Sequence, residues 1–502
     1  MENLRKSGVI LPITALQGGY GIGDFGQNAE GFAAFIARMG FSVWQVLPLT
    51  ASGLGNSPYS GVSAFAGNAL LIDVERFNES LITSEEKKAN RYYGQPYRVD
   101  YPFAKKNKRA LLSLAYSRLN DEYKAEIAAF AAKNEYWLPD YALYSALKDK
   151  FNGLPFFQWD DKYKFRDNAA LDAAKTELAY EIGYYEFEQF SFFEEWSDLK
   201  AKTNKHGVSF FGDMPIYVAH DSCDVWAHPE LFELNADLSC KSVAGVPPDY
   251  FAEDGQLWGN PLYRWRIMSR DGYDWWVRRI LHNLSLYDTL RIDHFRGLCE
   301  FWAVDASETT AKNGKWKKGC GMGLWRALKK VCPNPDIVAE DLGIIDDKVR
   351  KYLDKTGFPG MRVFQFAFDG TKNNPHLPYN YPLNTVAYTA THDNDTTLGW
   401  IYNTDKGTRT TVLDYLEVSE GWGVGGGSCK TTRAAAKEIL ASSAKLAILP
   451  LQDLSGYGSD TRTNIPGTPE GNWEFRCTQA AMDEIDTKYF RDLNEKYGRT
   501  NL

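Results

Sequence analysis

Eight short runs of apolar and β-branched residues, set between stretches of helical periodicity, constrain this chain more than any other feature. The runs cover residues 9–13, 43–47, 210–218, 289–293, 336–340, 362–366, 385–391 and 445–451. Runs of this length predict buried strands. Residues 29–39 after the first run, and 323–331 before the fifth, repeat apolar side chains every three or four positions, which predicts amphipathic helices. Alternating strands and helices imply parallel pairing, and eight units suit a closed (β/α)8 TIM barrel. A doubly wound open sheet is the rival, and it would offer one switch-point crevice instead of a ring of sites.

The spacing of the runs is uneven. About 160 residues separate the second from the third, too many for one helix and its loops. Residues 104–123 and 124–147 look helical, so the expectation is a mostly helical subdomain inserted at 75–205. A second insertion is expected at 219–288. It contains an aromatic stretch with Pro247, Pro248, Gly255, Gly259 and Pro261, which reads as an ordered lid loop at 246–261 over an active-site mouth. The whole chain, 1–502, is then one elaborated catalytic barrel.

Composition narrows the partners. With net charge −8 and no long basic run, the chain lacks the cationic surface that nucleic acid or an anionic membrane requires. Aromatics are 14% of residues, with 15 Trp, enough for a large core and also for a groove whose rings stack on sugar faces. The seven cysteines are dispersed and odd in number, which argues against a disulfide framework. No apolar leader or long apolar span is evident, so a soluble cytoplasmic protein is expected.

One motif misleads. Gly21-Ile22-Gly23-Asp24-Phe25-Gly26 matches a dinucleotide fingerprint, but no acidic residue stands near position 45 to bind a ribose. A glycine-rich turn ahead of a helix accounts for it. The histidines are scattered, without metal-site spacing, and neither metal nor cofactor is expected.

Three carboxylates carry more. Asp293 closes Leu290-Arg291-Ile292-Asp293, Glu340 closes Ile337-Val338-Ala339-Glu340, and Asp393 follows Thr391-His392. Each stands at the end of an apolar run, where barrel enzymes keep their catalytic residues. Two carboxyl groups flanking a bond are what retaining glycoside cleavage needs. Each residue also has a plain structural reading. Asp293 could pair with Arg291, which points to the same side of a strand; Glu340 could sit at a helix start; Asp393 could be an N-cap. Three such residues at successive strand ends favour the catalytic reading, with Arg291 keeping Asp293 ionised.

The residues then resemble a family. Besides the three acidic segments, Trp44-Gln45-Val46-Leu47-Pro48-Leu49, Ser57-Pro58-Tyr59-Ser60, Gly212-Asp213-Met214-Pro215, Gly357-Phe358-Pro359-Gly360-Met361 and Gly471-Asn472-Trp473 resemble the 4-α-glucanotransferases, also called amylomaltases, relatives of the α-amylase barrels. The resemblance runs from Gly8 to about Arg476. It implies Asp293 as nucleophile, Glu340 as general acid/base and Asp393 as transition-state carboxylate. It implies Tyr59, Asp213, Asp249, Tyr250, Phe251, Trp258, Arg291, His294 and His392 as substrate contacts. It implies α-1,4-glucan donors and acceptors, such as maltooligosaccharides, starch or glycogen. Leu298-Cys299 and Cys320 depart from the family pattern in loops. An α-amylase-type hydrolase is the alternative, separable by release of reducing ends.

Overall fold

The structure, a computed structural model, describes residues 5–248, 253–343, 345–468 and 470–500. The described residues form twelve strands: β1 Lys6–Ile10, β2 Val43–Gln45, β3 Ser209–Met214, β4 Ser242–Val246, β5 Gln256–Pro261, β6 Thr289–Ile292, β7 Glu300–Asp305, β8 Lys315–Lys318, β9 Ile337–Ala339, β10 Gly360–Val363, β11 Thr385–Tyr388 and β12 Leu446–Pro450. Eight of them pair in parallel in the order β10, β11, β12, β1, β2, β3, β6, β9. The amide of Ala339 in β9 donates to the carbonyl of Pro359, at the start of β10, at 2.9 Å, so the two ends of the sheet meet. This is a (β/α)8 barrel, not an open sheet.

Alternation along each strand sorts the side chains into two layers. Inside lie Ile10, Val43, Phe211, Val338, Met361, Val363, Val386, Tyr388, Leu446 and Ile448, all buried. Facing the helices outside lie Val9, Trp44, Phe210, Leu290, Ile337, Ala387 and Ala447. Toward the carboxyl ends the inner layer turns polar. Gln45, Asp213 and Arg291 are buried there, and the Tyr388 hydroxyl donates to Gln45 Oε1 at 3.0 Å. An apolar plug below and a polar floor above are what a site at the strands' carboxyl ends stands on.

Strand bounds differ from the sequence expectation mainly at the carboxyl ends, although β1 and β10 also begin earlier, at Lys6 and Gly360. Strands stop early: residues 11–13, 46–47, 215–218, 364–366 and 389–391 lie beyond the ladder in turns, short helices or irregular backbone. Apolar content persists past the strand ends because most of these residues fold over the barrel's rim and stay buried, Phe366 being exposed. Pro12 and Pro215 lack the N–H that a ladder uses. Between β2 and β3, the helical stretch expected over 104–147 is broken into Tyr101–Ser117, Asp121–Lys133 and Leu138–Lys150. The Asn120 side chain accepts from Tyr123 N at 2.9 Å and caps the second piece, and Pro139 opens the third.

A second sheet, antiparallel in the order β5-β4-β7-β8, draws on two separate segments, one after β3 and one after β6. Residues 256–261, expected in a loop, form its edge strand β5, where Pro261 and the glycines are tolerated. The glycine run near the first helix is filled by the protein itself. A Cβ at Gly23 would lie 2.0 Å from Ile13 O, and one at Gly26 2.6 Å from Asp73 Oδ2. Among the described residues no helix is long and apolar enough to cross a membrane.

Candidate active site

Strand register assembles the site. Asp213 of β3 is the partner of Arg291 on β6, and Ile292 is the partner of Ala339 on β9. One step further, the same register sets Asp293 beside Glu340, and the ladder continues there: Glu340 N donates to Ile292 O at 3.1 Å. Neighbouring strands lie about 4.8 Å apart, so two in-register carboxylates on the inner face start out at nearly that separation.

Arg291 is the hub. Its guanidinium, 4% exposed, donates from Nη1 to Asp213 Oδ2 at 2.5 Å and from Nη2 to Asp293 Oδ1 at 2.8 Å. Its Nε faces Met361 Sδ at 3.4 Å, a weak acceptor that competes little with the carboxylates. Tyr59 OH donates to the same Asp213 oxygen at 2.7 Å. One cation is thus divided between two carboxylates.

Glu340 is held by backbone. Its Oε2 accepts from His294 N at 2.7 Å and its Oε1 from Leu342 N at 2.6 Å. His294 has φ 49°, a left-handed conformation rare outside glycine, and it turns that amide back toward Glu340. The His294 ring meets Trp258 of β5 edge-on, with centroids 4.7 Å apart.

Asp393 sits on the turn after β11. His392 Nε2 faces its Oδ2 at 3.3 Å, and Asn464 Nδ2 donates to its Oδ1 at 2.6 Å. The His392 ring stacks on Tyr59, with centroids 5.1 Å apart and planes 13° apart, and Trp473 packs against both.

The environment separates the three carboxyls. Burial pushes Glu340 up to about 8; Arg291 and the two amides pull against this, and the charge of Asp293 adds to it. Burial also pushes Asp293 up, to about 6, against the pull of Arg291. Arg291 does favour the charged form of Asp293, as the sequence leads one to expect, but burial outweighs it and the charges of Asp213 and Asp393 add to the rise. Asp393 is different. Burial raises it, but the charge and hydrogen bond of His392, then Asn464, hold it well below the usual carboxylate range. His294 is pushed down to about 3 by burial and then by Arg296, so its ring is neutral.

The structure therefore brings together Asp293, Glu340, Asp393, Tyr59, Asp213, Arg291, His294, His392 and Trp258. Asp249, Tyr250 and Phe251 lie outside the described residues. Sequence reasoning missed Asn464 and Arg462 as neighbours of Asp393, and Trp473 as a neighbour of Tyr59 and His392. Nothing in Arg462-Thr463-Asn464-Ile465 marks more than a loop, and the family-like segments nearby, Pro466-Gly467-Thr468 and Gly471-Asn472-Trp473, begin after it.

Comparisons with known proteins cover nearly the whole chain. A family model described as 4-alpha-glucanotransferase matches residues 11–481. The 4-alpha-glucanotransferase of Clostridium butyricum is 40% identical over 497 residues, covering 97% of this chain and 100% of that protein. That of Thermus thermophilus is 42% identical over 483 residues, covering 95% of each. Among solved structures, the amylomaltase of Streptococcus agalactiae in complex with acarbose superposes with a TM-score of 0.95 at 35% identity, covering 99% of this chain and 100% of that one. With a barrel matched along its whole length and relatives of this identity, the chain belongs to the 4-α-glucanotransferase family.

Proposed function

We propose that the chain transfers α-1,4-glucan segments between maltooligosaccharides, or starch- or glycogen-type chains, by a retaining double displacement. Asp293 attacks the anomeric carbon while Glu340 delivers its proton to the departing glycosidic oxygen. The glucan's reducing-end portion leaves, and the donor remains esterified to Asp293. Glu340, now a base, takes the proton from the 4-hydroxyl of an acceptor glucan. That oxygen displaces Asp293, and the α configuration returns.

The observation that carries this reading is the in-register placement of Asp293 and Glu340 with different proton affinities. Retention requires the two carboxyls about 5–5.5 Å apart, close to the spacing of neighbouring strands. Between about pH 6 and pH 8, Asp293 has released its proton while Glu340 keeps one. Two backbone amides occupy one lone pair on each Glu340 oxygen, so the acid proton is left on the side away from them. Asp393 stays ionised, placed to hold sugar hydroxyls more tightly as the ring flattens. Arg291, Tyr59 and Asp213 form the floor beneath the sugar, and His294, His392 and Trp258 wall it. Asp249, Tyr250 and Phe251, which lie in sequence between β4 and β5, are assigned to the lid that favours an acceptor sugar over water. The dispersed, odd-numbered cysteines suit action in the cytoplasm.

Incubation with maltotriose and chromatography of the products over time tests the assignment. Glucose together with maltopentaose and longer chains, without net gain in reducing ends, is expected. Glucose and maltose alone, with reducing ends rising, would overturn transfer. The variant Asp293→Asn should fold and be inactive.

A further inference from the structure

We propose that Asn464 is a positioning residue that aims the Asp393 carboxylate, with Arg462 locking its backbone in place. The inference rests on the reading of Asp393 as the transition-state carboxylate and adds the group that directs it.

Asp393 needs such a group. Asp293 and Glu340 follow directly on β6 and β9, whose ladders fix their backbone. Asp393 lies five residues past the last residue of β11, and its side chain is 42% exposed. Its own turn orders only the main chain: Asp393 N donates to Thr391 Oγ1 at 3.3 Å, and Asn394 Oδ1 accepts from Thr391 N at 3.0 Å. Two torsions of the carboxylate remain to be set. One oxygen faces His392, and the other takes the Asn464 amide. A donor on each oxygen fixes both torsions.

Asn464 is itself built in. Arg462 Nη2 donates to the Asp393 carbonyl at 2.5 Å and Arg462 Nε to the Asn464 carbonyl at 2.7 Å, so one guanidinium joins the two backbones. Thr463 O accepts from Trp473 N at 2.7 Å, and Thr463 Oγ1 from Gln452 Nε2 at 3.1 Å. Gln452 belongs to the helix Leu451–Ser455 that follows β12 directly. The brace therefore runs from the end of β12 through 462–464 to the carboxylate after β11. A bond serving only to tie down the 461–473 loop would not need to end on a carboxylate oxygen at the site.

The pH response separates these cases. The charged and titratable groups facing Asp393 are His392, Arg291, Asp293 and Tyr59 from the barrel and Arg462 from the brace. Asn464→Asp puts a second carboxyl against the first. While it holds a proton, its O–H donates to Asp393 as the amide did. Once ionised, it repels.

The test measures kcat and KM with maltotriose from about pH 5 to pH 9, with melting temperatures, for Asn464→Ala, Asn464→Asp and Asp393→Asn. Asn464→Ala is expected to lower kcat by up to about 100-fold at every pH, with little change in KM. Asn464→Asp is expected to recover most of that loss at the acid end and to lose it as pH rises. A wild-type kcat for Asn464→Ala, or a wild-type pH profile for Asn464→Asp, would overturn the proposal. A wild-type kcat for Asp393→Asn would instead remove the reading of Asp393 and the proposal with it.

Discussion

Glu340 receives two backbone hydrogen bonds that favour its ionised form, yet burial outweighs them and pushes it up to about 8. Asp293, pushed up to about 6, gives up its proton first. The reaction needs Asp293 ionised and Glu340 protonated. Activity must therefore rise as pH passes through about 6 and fall as it passes through about 8. A pH profile of kcat/KM with maltotriose should show these two limbs; a profile flat across that window would exclude this pair as base and acid. Arg291 provides a second handle. Arg291→Lys keeps a positive charge but loses the fork that reaches Asp213 and Asp293 together. With less cationic stabilisation of its ionised form, Asp293 must hold its proton to higher pH, so the acid limb moves up. A fall in kcat of about 100-fold, as for other misplaced reacting groups, should accompany the shift. A variant that loses rate with its acid limb unmoved would show that Arg291 acts on Asp293 through geometry alone.

At the scale of elements, the β4–β5 hairpin meets the site through Trp258 of β5. It projects Trp258 against His294, and its turn contains Gly255, at φ 67°. A Cβ there would stand 2.4 Å from Val246 O. Gly255→Ala therefore strains the turn twice, sterically and through its left-handed backbone, which alone costs roughly 1–2 kcal/mol. Transfer should fall relative to hydrolysis, read as glucose released per maltopentaose formed, while the melting temperature barely changes. An unaltered ratio would mean that the hairpin does not select the acceptor. The same element shows where sequence reading stops. The barrel strands were legible because buried parallel strands are apolar along their length, and Asp293 and Glu340 were legible because each follows such a run directly. β8, Lys-Trp-Lys-Lys, is an exposed edge strand with no apolar stripe to betray it. β5 was obscured by its glycines and Pro261, which an edge tolerates. Asn464 reaches Asp393 across a separation of 71 residues that only tertiary folding closes, so no local pattern could announce it.

For the molecule as a whole, the question is what joins the helices between β2 and β3 to the barrel. The 27-residue helix Ala179–Lys205 straps itself to the rim through Gln189, which exchanges two hydrogen bonds with Gly67, and through Glu195, which accepts from Asp73 N at 2.7 Å. The stronger tie is Lys108, on the helix Tyr101–Ser117 and 1% exposed. Its ammonium spends all three donors on Asp24 Oδ2 at 3.0 Å and on the carbonyls of Leu70 and Ile72 at 2.8 Å each. Asp24 belongs to the loop after β1, so this one cation spans the helical insertion and the barrel rim. Asp73 is close by, and burial and then the charge of Asp24 push its carboxyl up to about 6. Lys108 offsets that crowding of acids. Lys108→Met fills much of the same volume but leaves the Asp24 carboxylate buried and unpaired, which should destabilise the protein by about 3–5 kcal/mol. Adding Asp24→Asn removes the orphaned charge and should restore part of the loss, since a buried pair deleted together costs less than one broken. Urea unfolding followed by tryptophan fluorescence, with loss of activity tracked in parallel, reads the coupling. A single transition that shifts to lower urea in Lys108→Met and partly back in the double variant means that barrel and helices unfold as one. If the transition splits in two, with activity lost in the first, the helices unfold separately and the site depends on their docking. An unmoved midpoint would show that this buried pair does not hold the two parts together.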